Sequence, residues 1–162
     1  MNPSEDKRVY ILDTNALIQF SLWLPIDLNK NFWTKFEESL GKGEWVLLDV
    51  MVDEIKFGND GLKKWCDRQK QKGLMRSITD DHRNRGAEIN NTYKMIDDVT
   101  GKSTGDTYLI TYAESNKLIV FSREAPRKGN GDLYKIPDVC KALKVELIYK
   151  PREFLEAIGY RN

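Results

Sequence analysis

The sequence predicts an α/β fold, a three-layer α/β/α sandwich around a central parallel sheet of four to five strands. Three observations predict it. Short apolar runs recur at 9–12, 45–48 and 118–121, and 145–148 reads as a further strand with Glu146 within it, each the length of a buried strand. Between them lie stretches of helical period, and strands that alternate with helices imply right-handed crossovers and a parallel sheet. At 162 residues the chain is long enough for one domain with a sizeable core, so a single domain is expected over 1–162.

The elements follow in order. The first strand, 9–12, breaks at Asp13-Thr14-Asn15, after which Ala16, Leu17, Ile18 and Phe20 resume an amphipathic pattern. That is a strand ending and a helix being capped. Leu24-Pro25-Ile26-Asp27 is a turn. Phe32, Trp33, Phe36 and Leu40 then form a helical stripe that stops at Gly41-Lys42-Gly43. The stripe reads as the face that docks on the sheet, not as a base-stacking surface. Residues 45–48 are the second strand, and 50–55 a helix with Met51 and Ile55 on one face. The next helix, 62–72, turns Leu62, Trp65 and Cys66 inward and a lysine-rich face to solvent.

Residues 74–78 fit either a short strand or a loop. A polar helix over 81–99 has only Ile89, Tyr93, Met95 and Ile96 as apolar contacts, which suggests a peripheral position as a lid or a dimer surface. From Asp106 a helix carrying Leu109, Ile110, Tyr112 and Ala113 leads into the strand 118–121, which ends in Ser122-Arg123-Glu124. A Gly/Pro/Lys-rich loop over 125–135, a helix over 136–143, a strand over 145–148 and a helix over 151–158 complete the chain. Proline stands early in both of those helices, and Gly159 follows the second.

Composition narrows the chemistry. Hydrophobic residues make up 40% and charged residues 31%, as in an ordinary globular domain. The net charge of +1 means that nucleic-acid contact must come from local patches. No apolar run reaches membrane-spanning length, and MNPSEDKR lacks a secretory signal, so a cytoplasmic location is expected and no membrane association. Cys66 and Cys140 with the lone His82 cannot supply four ligands to a structural zinc. His82 sits in a very polar run with nothing apolar to orient its ring, so histidine-based triads are disfavoured. Gly101-Lys102-Ser103 matches the tail of a phosphate-binding loop, but the required earlier glycine is replaced by Ile96.

Hydrolytic chemistry should therefore rest on carboxylates. In a parallel sheet every strand's C-terminal end faces one edge, where ligands bind. Asp13 and Glu124 leave strands at that edge, while Asp106 and Glu54 start near it on helices. Asp13 has two readings, a helix cap and a reactive carboxylate. Converging carboxylates raise one another's pKa unless a cation neutralises them. A hard ion such as Mg²⁺ or Mn²⁺ resolves that conflict and activates water for attack on phosphorus.

Leu12-Asp13-Thr14-Asn15, Glu54 before an apolar residue, the Asp106-x-x-Leu109-x-x-x-Ala113 helix and Val120-Phe121-Ser122-Arg123-Glu124 together resemble the PIN-domain pattern of metal-dependent nucleases, which include VapC-type toxins. The tail Lys135-Ile136-Pro137-Asp138-Val139-Cys140 resembles a DUF4411-like branch. The resemblance implies a PIN-like fold and an endoribonuclease of single-stranded RNA, the toxin of a toxin–antitoxin pair with a cognate antitoxin as partner. It implies that Asp13, Glu54, Asp106 and Glu124 bind Mg²⁺ or Mn²⁺ and are catalytic, with Thr14, Asn15 and Ser122 supporting the metal shell. The fourth acidic position is usually aspartate in this pattern, which leaves Glu124, Asp132 and Asp138 as alternatives. Arg123, Arg127, Lys128 and Lys56 are the candidate phosphate contacts, set against their reading as solubilising charges. Members of the family often form homodimers. The competing readings are a catalytically inactive PIN-like module that binds RNA or protein, and an aspartyl phosphatase. The phosphatase lacks its second aspartate, because Asn15 stands there.

Overall fold

The structure is a computed structural model and describes residues 8–53, 55 and 60–160. It is α/β, with a four-stranded, all-parallel sheet between two layers of helices. The strands are β1 (Tyr10–Leu12), β2 (Trp45–Val46), β3 (Ile119–Phe121) and β4 (Leu147–Ile148), in the spatial order β2-β1-β3-β4. The order reverses between β1 and β3, which makes their C-terminal ends the topological switch point where α/β sheets open a crevice.

Period-two alternation divides the core. Tyr10 and Leu12 of β1 pack with Trp45, Ile119, Phe121 and Ile148 on one face, while Ile11, Val46 and Val120 point to the other. The first face is covered by α1 (Thr14–Trp23), α2 (Lys30–Gly41), α4 (Asp60–Gln71) and α8 (Pro151–Ala157). The aromatic stripe of α2 is core as expected: Phe32, Trp33, Phe36 and Leu40 are all buried, and Phe36 stacks on Trp45 with ring centroids 4.3 Å apart. Such offset ring pairs add to the area term of burial. The second face is covered by α3 (Asp49–Val52), α5 (Asp80–Thr92), α6 (Thr104–Asn116) and α7 (Ile136–Leu143). Among the described residues no helix is long and apolar enough to cross a membrane.

Three expected boundaries shift, each for a local reason. The helix expected over 81–99 ends at Thr92, because the Asn90 side chain accepts from the backbone N–H groups of Met95 and Ile96 and turns the chain. It lies at the periphery, mostly exposed, and packs on α6 through the buried Gly86 and Ile89. The helix expected over 50–55 is the short α3, and the 74–78 stretch contributes one parallel bridge between Arg76 and Leu48. The helix expected to open at Asp106 opens at Thr104, after Ser103 at φ 76°, so Asp106 is its third residue.

His82 has a structural role. Its Nδ1 accepts from Thr79 N–H at 3.0 Å while the Thr79 hydroxyl accepts from His82 N–H, a capping box at the start of α5. The Gly-Lys-Ser stretch forms turns before α6 and is fed by no strand among the described residues.

Candidate active site at the C-terminal edge of the sheet

The register of the sheet sets three residues on one line. Leu12 pairs with Phe121 and Phe121 with Ile148, so the next residues, Asp13, Ser122 and Tyr149, all stand one step beyond the sheet. Asp13 N–H still bonds to the Phe121 carbonyl at 3.0 Å, which extends the ladder and fixes the direction in which the carboxylate leaves it.

Asp13 occupies the N-cap position of α1 with extended backbone, yet its side chain makes no cap hydrogen bond. Its Oδ2 instead accepts from the Ser122 hydroxyl at 2.7 Å, and the residue is 3% exposed. Ser122, wholly buried, also accepts from Glu124 N–H at 3.1 Å, so one hydroxyl ties the reactive candidate to the chain that follows β3. Thr14 donates to the Met51 carbonyl at 3.1 Å and holds the end of α3 against the start of α1. Asn15 Oδ1 accepts from Arg123 N–H at 3.2 Å. The three residues expected to support a metal shell thus all brace the backbone or the carboxylate around Asp13.

Asp106 is buried in the first turn of α6. That helix runs back along the sheet and enters β3 through a left-handed turn at Lys117, φ 56°. Its 13 residues span about 20 Å against about 10 Å for the strand, so its first turn lies toward the C-terminal end of the sheet, the end at which Asp13 leaves β1. The positive end of the helix dipole favours a carboxylate at that position. Cys140, on α7, is the unforeseen neighbour. Burial first, and the Asp13 carboxylate second, push its thiol up to about 12 and keep it protonated.

The remaining acidic candidates are tied to backbone. Glu124 Oε1 accepts from Ile136 N–H at 3.1 Å at the start of α7. Asp138 Oδ2 accepts from the N–H groups of Arg127 and Lys135, and Asp132 Oδ2 from Gly129 N–H. Glu54 and Lys56 lie outside the described residues. Among the described residues there is no group of three or more His, Cys, Asp or Glu side chains arranged to hold a metal ion.

Of the basic candidates, Arg123 is the most engaged. Its Nε donates to Gln19 Oε1 at 2.9 Å and its Nη1 to the Tyr149 carbonyl at 2.8 Å. Arg127 stacks on Tyr134 at 3.7 Å and reaches back to the carbonyls of Asn130 and Asp132, so it shapes the 125–135 loop. Lys128 is exposed on that loop.

Sequence reasoning missed Gln19, Tyr149 and Cys140. Gln19 is four residues after Asn15, hence on the same helical face, and Tyr149 ends its strand where Asp13 and Ser122 end theirs. Both spacings were available as signals. A cavity of about 800 Å³ lies elsewhere, between α1, α2 and α4, and none of the predicted site residues lines it.

A family model described as a domain of unknown function, DUF4411, covers residues 10–161. No curated protein and no solved structure matches the chain.

Proposed function

The chain belongs to the DUF4411 family, whose description assigns no chemistry, and from its site we propose that it is a metal-dependent endoribonuclease of the PIN type. The observation that carries this reading is the buried Asp13 carboxylate at the switch point, which leaves the cap of α1 unmade and is oriented from β3 by Ser122. A carboxylate whose purpose was to cap would bond to its own helix. Burying it instead at a sheet edge, with Asp106 toward the same end of the sheet, fits a cation-binding role.

The donor set suits a hard ion. Asp13 and Asp106 offer carboxylate oxygens, and the PIN-domain pattern that the sequence resembles adds Glu54. A Mg²⁺ or Mn²⁺ ion held there would supply polarisation of a phosphoryl oxygen and a nucleophilic water. The chain's own part is orientation: Ser122 fixes one carboxylate oxygen of Asp13, and Thr14 and Asn15 fix the backbone on either side. We assign Glu124 to the start of α7, where its carboxylate satisfies a backbone N–H. The toxin role, with a cognate antitoxin as partner, follows from the resemblance and is proposed with it.

The test is cleavage of single-stranded RNA with and without EDTA by the wild type, Asp13→Asn and Asp106→Asn. Cleavage should require the metal and be lost in both variants at unchanged fold, and Mn²⁺ should raise the wild-type melting temperature by mass action. Equal cleavage by the wild type and Asp13→Asn sinks the assignment.

A further inference from the structure

Two aromatic rings stand exposed beside this edge, and one guanidinium joins them. Tyr149 is 48% exposed and Trp23 52%, while the other three tryptophans, Trp33, Trp45 and Trp65, are buried at 3% or less. The Arg123 guanidinium lies 4.1 Å from the Tyr149 ring centroid and 5.7 Å from that of Trp23. It is held in place by Gln19 and the Tyr149 carbonyl, and among the described residues no carboxylate pairs with it. Trp23 is braced from behind by Phe20 in an edge-to-face contact at 6.2 Å.

A folded domain has every reason to bury such rings or leave them scattered. Here they are gathered around a fixed positive charge, at the end of the strand next to the one carrying Ser122. Flat, rigid π-faces beside an unneutralised guanidinium are the surface on which unpaired bases stack while the phosphate between them meets a cation. Paired bases keep their faces covered by their neighbours and cannot use it.

We propose that Tyr149, Trp23 and Arg123 form a stacking platform for unpaired nucleobases, which seats a single-stranded nucleic acid across the Asp13 edge. The proposal deepens the ribonuclease reading and rests on it for the position of the reacting phosphate. Stacking reads the base and not the sugar, so RNA and DNA single strands share the chemistry. The Arg123 guanidinium completes the platform as the cation that meets the phosphate.

Binding is measured in EDTA, where no cleavage occurs, by fluorescence anisotropy of a short labelled RNA. The arms are the single strand, the same sequence as single-stranded DNA, its duplex, and an abasic strand. Tyr149→Leu and Trp23→Leu keep apolar bulk and lose the flat face; each should weaken single-strand binding about tenfold, on RNA and DNA alike. Tyr149→Phe should bind within about twofold of wild type, since it keeps the ring. Neither leucine variant should change binding of the duplex or the abasic strand. Adding the single strand should quench tryptophan emission in the wild type and not in Trp23→Leu, because the other three indoles are buried.

Wild-type affinity in Tyr149→Leu, an equal loss on the abasic strand, or no binding of single strands by the wild type overturns the platform. The nuclease reading is judged separately, by cleavage in Asp13→Asn, so either idea can fail while the other stands.

Discussion

The Ser122 hydroxyl donates to Asp13 Oδ2 at 2.7 Å across 109 residues of sequence, and both groups are buried. Two adjacent parallel strands deliver these side chains to one point, and neither is positioned by its own local segment. The site is thus a property of the β1–β3 pairing.

Removing that hydroxyl tests the pairing. Ser122→Ala leaves a buried carboxylate oxygen without its donor and Glu124 N–H without an acceptor, which should cost about 2 kcal/mol of stability. Urea denaturation measures it. Cleavage should fall about tenfold in the same variant, as expected for loss of a hydrogen bond that orients a charged group. Unchanged values of both would mean that Ser122 does not orient Asp13.

Glu124 separates a cap from a ligand. Glu124→Gln keeps an oxygen acceptor for Ile136 N–H and removes the charge, whereas Glu124→Ala removes both. On the capping assignment the glutamine variant keeps its melting temperature and cleaves RNA within a few-fold of wild type, and the alanine variant loses about 1 kcal/mol. Abolished cleavage in a fully stable Glu124→Gln would instead make it the fourth metal ligand.

Gly86 of α5 packs tightly against α6. A Cβ there would stand 3.0 Å from Thr107 Oγ1 and 3.2 Å from the Tyr108 ring. The Thr107 hydroxyl is bonded to the Thr104 carbonyl, and Arg83 lies over the Tyr108 ring, so neither neighbour yields readily. Gly86→Ala gains up to about 1 kcal/mol of helix propensity. Overpacking should outweigh it for a net loss of about 1 kcal/mol, read from the urea midpoint. Because Thr107 follows Asp106, cleavage should fall further than stability predicts.

Arg85 and Glu114 form a bidentate pair between α5 and α6 at 2.9 Å for both bonds. The Arg85 hydrogen bonds hold the Glu114 carboxyl below its ordinary 4.5, against an opposing effect of burial. A lowered carboxyl contributes stability above its unfolded pKa and loses it as pH falls through the folded one. With the side chains 38% and 31% exposed, solvent screening limits the contribution to about 1 kcal/mol or less. Glu114→Gln should therefore be less stable than wild type at neutral pH, and the two should converge as acid protonates Glu114. A gap that persists in acid would mean that the pair is not its source.

The strands and their polar ends were legible in the sequence because a buried parallel strand leaves a short unbroken apolar run, and Asp13 and Ser122 stand where those runs stop. The end of α5 was not. Tyr93, Met95 and Ile96 continue an apolar spacing, and only the placement of the Asn90 amide shows that the chain turns there. The bond that ties Glu124 to the backbone was hidden for a similar reason. A carboxylate after a strand looks the same in sequence whether it faces an ion or a helix N–H twelve residues on. Arg123 could be placed near the site by adjacency, but its partners come from α1 and the end of β4, elements that meet only once the sheet has formed.

The order β2-β1-β3-β4 also has a consequence for synthesis. β1 has β3 as one of its two neighbours, more than a hundred residues later in the chain. Such non-local pairing raises contact order and delays folding until the late segment arrives. A nascent chain that has not yet released its β3 segment carries Asp13 without the serine that orients it.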